Sequence, residues 1–193
     1  MQILLASGSP RRRELFSWLG VEFEVLAPDV DETGRGSEAP GDYCSRLSRE
    51  KALSFQEVRP RHLIVAADTV VVIGGAILGK PSNGDEARSH LRQLQGCMHE
   101  VFTGYTVARE SRAATRVIRT RVFFRDMTEE EIDWYVSTGE PMDKAGSYAL
   151  QGIGAVFVDR IEGSYTNVIG LPLSHLYHDL KDFGLGLQPF REA

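Results

Sequence analysis

The sequence is poor in several things that would each have assigned it to a class. It has two cysteines, Cys44 and Cys97, too few for a disulfide framework, and neither sits in a CxxC or Cys/His spacing that would hold zinc. That sparing use suits a reducing compartment. No apolar run approaches the ~20 residues needed to span a bilayer: Leu63–Ala67 and Val70–Ile73 are separated by Asp68. The start, "MQILLAS", has no basic segment before its short apolar stretch, and that stretch is shorter than the roughly 7–15 residues of a secretory signal. Positive charge is also in deficit, with 22 Lys and Arg against 27 Asp and Glu and a net charge of -5. A general nucleic-acid or anionic-membrane binder is expected to lean the other way. Neither GxxxxGK[ST] nor GxGxxG occurs, so P-loop and Rossmann nucleotide sites are unsupported, and no HExxH pairs the five histidines. The expectation is a soluble cytoplasmic protein with no nucleic-acid and no membrane partner.

What is present is a regular alternation of strand and helix signals over 193 residues, read as one domain, 1–193. Ile3–Ala6 is a short apolar run ending in "SGSP". Ser9 is then a fit N-cap, with Pro10 at the first helical position and Gly20 as the stop. Phe23–Leu26 reads as a strand, "PDVDETGRGSEAPGD" as an acidic loop, and about Asp42 to Gln56 as a helix. Gly74-Gly75 joins two β-rich runs as a hairpin turn. "SNGDEARSHLRQLQG" reads as a helix capped by Ser82, with Ala87, Leu91 and Leu94 inside. Val101–Ala108 and Thr115–Phe124 read as strands, the second near a sheet edge because its two faces do not separate by polarity. Thr128 with Glu131 forms a capping box. Residues 139–146 then read as a loop, "SYALQG" and "AVFVDRIEG" as strands, and "LPLSHLYHDLKDFG" as a closing helix with Leu173, Leu176, Tyr177 and Leu180 inward. This order predicts an α/β fold with a mixed sheet flanked by helices.

A few residues stand out against that frame. Arg11, Arg12 and Arg13 follow one another in the first turn of a helix. Free N–H groups and the helix dipole already favour an anion there and disfavour cations. Successive residues point about 100° apart, so at most two of the three can face one ligand; the alternative is a solvated basic face. Asp68 interrupts an apolar run, and buried carboxylates are rare unless paired or metal-bound. Asp29, Asp31 and Glu32 lie in a loop, where acids are common. Mg²⁺ needs only one or two carboxylates plus substrate phosphates, which a Glu32/Asp68 pair would supply. Lys51 and Lys80 are single lysines, the second fixed between Gly79 and Pro81. His175 and His178, three apart on one helix, read as structural or solvated.

Together, "ASGSPRRREL", "DVDET", "LSREKA", "AADTVV", "LGKP", "GYTV", "TGEPMDKAGSYALQGIGA" and "NVIGLPL" resemble, in order and spacing, the Maf family of nucleoside triphosphate pyrophosphatases. The resemblance runs from about residue 3 to residue 180 and omits the tail "QPFREA". It implies a bent mixed sheet similar to that of the inosine triphosphate pyrophosphatases, with two lobes around a central cleft. It also implies hydrolysis of a nucleoside triphosphate to the monophosphate and pyrophosphate, with a divalent cation, Mg²⁺ or else Mn²⁺, at Glu32 and Asp68. By position, Asp68 matches the general base and Glu32 its acidic partner. Lys51 and Lys80 match phosphate-contacting lysines. Ser9, Arg11 and Arg12 match the triphosphate grip, with Arg13 a bystander. Thr69 and Gln151 match positions associated with base selection, and "AADT" with a glutamine in "QG" resembles the branch acting on dTTP and UTP. The resemblance further implies action on modified pyrimidine nucleotides and a link to nucleotide-pool cleaning and cell-division arrest; the rival expectations are a nucleotide-binding regulator that does not hydrolyse, linked to septum formation, and a relative preferring purine or methylated guanine. A homodimer is compatible with the resemblance.

Overall fold

The computed structural model describes residues 1–186; residues 187–193, which include the tail "QPFREA", lie outside the described residues. The described residues form a seven-stranded mixed sheet with helices, in strand order β2 (Glu24–Leu26), β1 (Ile3–Ala6), β3 (Leu63–Ile73), β5 (Met98–Arg109), β6 (Arg112–Phe124) and β7 (Val158–Glu162), with β4 (Ala76–Leu78) paired to β3. The chain divides into two compact units: Met1–Asp68 with Thr103–Ile118 and the segment from Gly170, and Thr69–Phe102 with Arg119–Ile169.

In the first unit β1 (Ile3–Ala6) pairs in parallel with both β2 (Glu24–Leu26) and β3 (Leu63–Ile73). All four β1 residues are buried, and a strand covered on both faces reads as an unbroken apolar run, as this one does. Helix α1 (Pro10–Ser17) begins as expected: the Ser9 hydroxyl accepts from Arg12 N–H at 3.4 Å, with Pro10 at the first position. Helix α2 (Pro40–Leu53) starts two residues earlier than expected because Pro40 supplies the pre-set φ of a first turn. Its buried residues, Cys44, Leu47, Ser48, Lys51 and Ala52, recur at one helical face, so the period itself turns Lys51 inward. Strand β5 (Met98–Arg109) meets α2 closely: a Cβ on Gly104 would overlap the Cys44 carbonyl and lie 2.8 Å from Ser45 N. Helix α6 (Leu173–Asp182) buries Leu176 and Leu180 as expected, while Leu173 and Tyr177 are only half-buried. The third inward position is instead Asp179, which accepts from Tyr105 Oη at 2.7 Å and from Arg116 Nε at 2.7 Å. A carboxylate is tolerated there because both partners satisfy it.

The second unit holds the hairpin. Gly74 and Gly75, at φ 56° and 84°, turn β3 into β4 (Ala76–Leu78), the conformation that a tight hairpin turn of this kind requires at both positions. Helix α3 (Gly84–Leu94) buries Ala87, Leu91 and Leu94 as predicted, but its cap is Asn83, not Ser82. Asn83 Oδ1 accepts from Glu86 N–H at 2.9 Å, and the Glu86 carboxylate reaches back to accept from Ser82 N–H at 2.7 Å. Glutamate is long enough for that return bond. Helix α4 (Glu129–Ser137) carries the full capping box of Thr128 and Glu131. Strand β6 (Arg112–Phe124) lies near the sheet edge as expected, second from the end, with β7 (Val158–Glu162) paired along its last residues, Arg121 with Glu162. The mixed polarity of β6 is met by that strand, as Arg121 bonds Glu162 at 2.7 Å and Arg160 lies 3.9 Å over the Phe123 ring.

The largest correction concerns "SYALQG", residues 147–152, which is not a strand. Gly146 and Ser147 take φ of 67° and 60°, and Gly152 takes 135°, none compatible with extended pairing. Ser147, Tyr148 and Ala149 are buried in succession instead of alternating. The first residues of "AVFVDRIEG" belong to a 3₁₀ turn, Ile153–Phe157, before β7 begins. A short helix, α5 (Tyr165–Ile169), lies in a stretch with no sequence prediction.

Candidate active site

The first unit gathers one cation and two carboxylates. Asp68 is carried on β3 and is 7% exposed; Lys51, on the inward face of α2, is 6% exposed. The Lys51 Nζ donates to Asp68 Oδ1 at 2.7 Å and lies 2.6 Å from Glu32 Oε1. A buried ion of either sign costs several kcal/mol unless paired, and here each compensates the other. Glu32 enters from the acidic loop with its side chain more than half exposed, so the cluster opens toward solvent at Glu32. Two side chains of α2 fix that loop. Tyr43 Oη donates to the Glu32 carbonyl at 2.7 Å, and Arg46 bonds Glu38 through both Nε and Nη2 at 2.8 Å and the Thr33 carbonyl at 3.2 Å. Burial, with the fields of Asp68 and Glu32, pushes the Tyr43 phenol up to about 12, so it remains a donor at neutral pH. Neither Tyr43 nor Arg46 stood out in the sequence, although their spacing of three on α2 places both toward one loop.

The arginine tract resolves into three environments. Arg13 is exposed; Arg11 and Arg12 are half-buried. Arg12 Nε donates to the Gly170 carbonyl at 2.9 Å. Burial draws its guanidinium below the ordinary value, while Asp68 and Glu32 pull the other way, so it lies in the field of the carboxylate pair. Ser9 spends its hydroxyl on the α1 cap.

The donor set suits a divalent cation that arrives with phosphate. Glu32 and Asp68 present hard oxygens converging on one ammonium, and one or two carboxylates suffice for Mg²⁺ when phosphates complete the shell. Among the described residues no group of three or more His, Cys, Asp or Glu side chains gathers to hold a metal unaided.

Three further sequence-predicted residues, Thr69, Lys80 and Gln151, belong to the second unit. Thr69 follows Asp68 on β3, and successive strand residues point to opposite faces. Thr69 and Lys80 each lie two residues beyond the hairpin pair Val71↔Leu78, and Lys80 is exposed. Gly146 N–H donates to the Gly79 carbonyl at 3.1 Å, and a Cβ on Gly146 would meet Val71 Cγ1 at 2.8 Å. The segment leading to Gln151 is thus seated directly on the hairpin that carries Lys80.

The residues after Gly146 are pinned one by one. Ser147 Oγ is 2.8 Å from His90 Nδ1, and Tyr148 Oη is 2.8 Å from His99 Nε2. His99 is 1% exposed and packs edge-on against Phe124 and Tyr148. Burial pushes its imidazole down to about 4. The unfolded chain would bind that proton near pH 6.5, so between those values the unfolded state holds more protons and stability falls as pH falls. The contribution is whole above pH 6.5, lost progressively toward pH 4, and about 3 kcal/mol in scale. Urea denaturation from pH 7 to 4 should therefore show a steeper loss for the wild type than for His99→Gln. Parallel curves would place the acid sensitivity elsewhere.

The profile of the family described as Maf-like protein matches residues 2–183. A dTTP/UTP pyrophosphatase of Syntrophus aciditrophicus (strain SB) is 51% identical over 185 residues, covering 95% of this chain and 90% of that protein. Proteins of the same name from Bacillus cereus (strain AH820) and Hahella chejuensis are each 46% identical, covering 95% of this chain and 96% and 93% of theirs. In fold, the chain is similar to the Staphylococcus aureus Ham1 protein, with a TM-score of 0.53 at 12% identity over 95% of this chain and 100% of that one. The Coxiella burnetii HAM1 protein gives 0.53 at 15% over 94% and 99%. With motifs, fold and relatives in agreement over nearly its whole length, the chain belongs to the family of Maf-like proteins.

Proposed function

We propose that the protein hydrolyses dTTP and UTP to the monophosphate and pyrophosphate, in the cytoplasm, where such nucleotides are available. The observation that carries the reading is the buried Asp68, charge-compensated by Lys51 and joined through it to Glu32, in a chain 45–51% identical to proteins named for this activity. Asp68 Oδ1 is held by Lys51, which orients Oδ2 to take a proton from water. That water attacks the α-phosphorus, the α–β anhydride bond breaks, and pyrophosphate leaves with the electron pair. A positioned base of this kind is worth about 10²–10⁴-fold. A divalent cation at Glu32 and Asp68, Mg²⁺ in the first instance, would neutralise phosphate charge. Arg11, Arg12 and Lys80 supply further positive charge for the phosphates, with Lys51 bound to both carboxylates in the free protein.

Base choice falls to Gln151 and Thr69. A glutamine amide both donates and accepts, and so matches the O4 and N3–H edge of uracil or thymine. The test is pyrophosphate release from dTTP, UTP and GTP, with and without chelator. Hydrolysis of the two pyrimidine nucleotides, lost on chelation, is expected; binding without turnover would make the protein a regulator, and a GTP preference would place it in another branch. Gln151→Glu turns the donor-and-acceptor amide into an acceptor only. An unmatched polar contact costs about 1–3 kcal/mol, so the dTTP/GTP ratio of kcat/KM should fall by about tenfold or more. An unchanged ratio would move base selection away from Gln151.

A further inference from the structure

Gln151 sits in a segment that has no strand partner, so something other than a sheet must hold it. Two side chains do. Glu140 Oε1 accepts from Gly154 N–H at 2.9 Å and from Tyr135 Oη at 2.8 Å, and Oε2 accepts from Ile153 N–H at 3.0 Å. Tyr135 Oη in turn accepts from Ala149 N–H at 3.2 Å. The backbone is therefore tied two residues before Gln151 and two and three residues after it. Tyr135 is fully buried in the core of the second unit, against Phe157 at 5.1 Å between ring centroids, so the anchor is rigid.

The chemistry of the clasp demands a carboxylate. Three donors, two backbone N–H groups and one phenol, converge on Glu140, and only an acceptor-only group answers all three. Burial pushes the Glu140 carboxyl up, but the N–H groups of Gly154 and Ile153 and the Tyr135 hydroxyl outweigh it and keep the group below its usual range. The loop is shaped around it. Gly152 adopts φ 135°, and a Cβ there would lie 2.5 Å from Glu140 Oε2; one on Gly154 would lie 2.5 Å from Tyr135 Oη. A Cβ at either position would force the clasp to shift.

We infer that Glu140 and Tyr135 are positioning residues for base selection: by tying both flanks of Gln151 they fix where its amide points, and so set the pyrimidine preference without touching the nucleotide. This rests on the reading of Gln151 given above. A loop free to move would still bind phosphate and still hydrolyse, but would no longer hold one hydrogen-bonding pattern against a base.

The experiment compares kcat/KM for dTTP and GTP in the wild type, Glu140→Gln, Tyr135→Phe and Gln151→Ala, and in each of the first two substitutions combined with Gln151→Ala. Glu140→Gln places an amide donor against an N–H, and Tyr135→Phe removes one oxygen from an otherwise unchanged ring. Each should lower the dTTP/GTP ratio about five- to tenfold, mainly by raising KM for dTTP, with kcat for dTTP within about threefold. On the Gln151→Ala background the same changes should leave the ratio within about twofold, because residues acting through one group are not additive. A ratio unchanged in folded Tyr135→Phe would overturn the clasp, and so would an equal fall on both backgrounds. If Glu140→Gln fails to fold, Tyr135→Phe alone decides. A wild type without dTTP preference would overturn the base-reading role of Gln151 and, with it, the role of the clasp.

Discussion

Asp68→Asn is expected to reduce pyrophosphate release from dTTP by about 10²–10⁴-fold while nucleotide affinity stays within a few-fold. The amide keeps the shape of the side chain and its place on β3 but cannot take a proton from water. The structure adds a consequence for the partner. Lys51 lies between two carboxylates at 2.6 and 2.7 Å, and in the variant only Glu32 remains to compensate its buried charge. Removing one member of a buried ion pair is commonly destabilising by about 3–5 kcal/mol; Glu32 and its exposure to solvent reduce that figure here. Thermal denaturation beside the kinetics separates the two effects: a folded variant without turnover assigns the proton transfer to Asp68, and near-normal turnover removes Asp68 from the mechanism.

Gly104→Ala should be the most destabilising single-methyl substitution in the first unit. The added carbon would fall on the Cys44 carbonyl and 2.8 Å from Ser45 N, and these are backbone atoms inside α2 that cannot turn aside as a side chain would. Overpacking costs about 1–3 kcal/mol and occasionally more, and a rigid obstruction belongs at the upper end. At about 3 kcal/mol the melting temperature of a protein this size falls by roughly 10 °C. Lys51 lies seven residues, about two turns, beyond Cys44 on the same helix, so a displaced α2 should also weaken its bond to Asp68. Lost turnover accompanying the lost stability is the expected pattern. A variant as stable as the wild type would mean that the helix and β5 separate at no cost.

What was legible in the sequence was what neighbouring residues decide between themselves. Ser9 with Pro10, Gly74 with Gly75, and Thr128 with Glu131 are each settled within a few positions, and each stands where the sequence places it. The cap of α3 went to Asn83 because two adjacent residues both qualified and the longer Glu86 decided between them. The apolar content of segment 147–152 is that of a strand, while the groups that tie its backbone and the two residues after it are the side chains of Tyr135 and Glu140. No local pattern announces such partners. The site lies between these cases. Asp68 was conspicuous as a charge in an apolar run, and the inward direction of Lys51 follows from the helical period of α2. That Glu32 joins them depends on the loop held by Tyr43 and Arg46, which is a matter of tertiary structure.

The division of the chain falls between Asp68 and Thr69, two consecutive residues of one strand that point to opposite faces. On the roles proposed here, the group that breaks the anhydride and the groups that read the base belong to different compact units. Substitutions around Gln151, Glu140 and Thr69 would widen or shift the range of nucleotides accepted while the Lys51-bridged carboxylates stay intact. On those roles, the choice of nucleotide would be open to change while the reaction itself is kept.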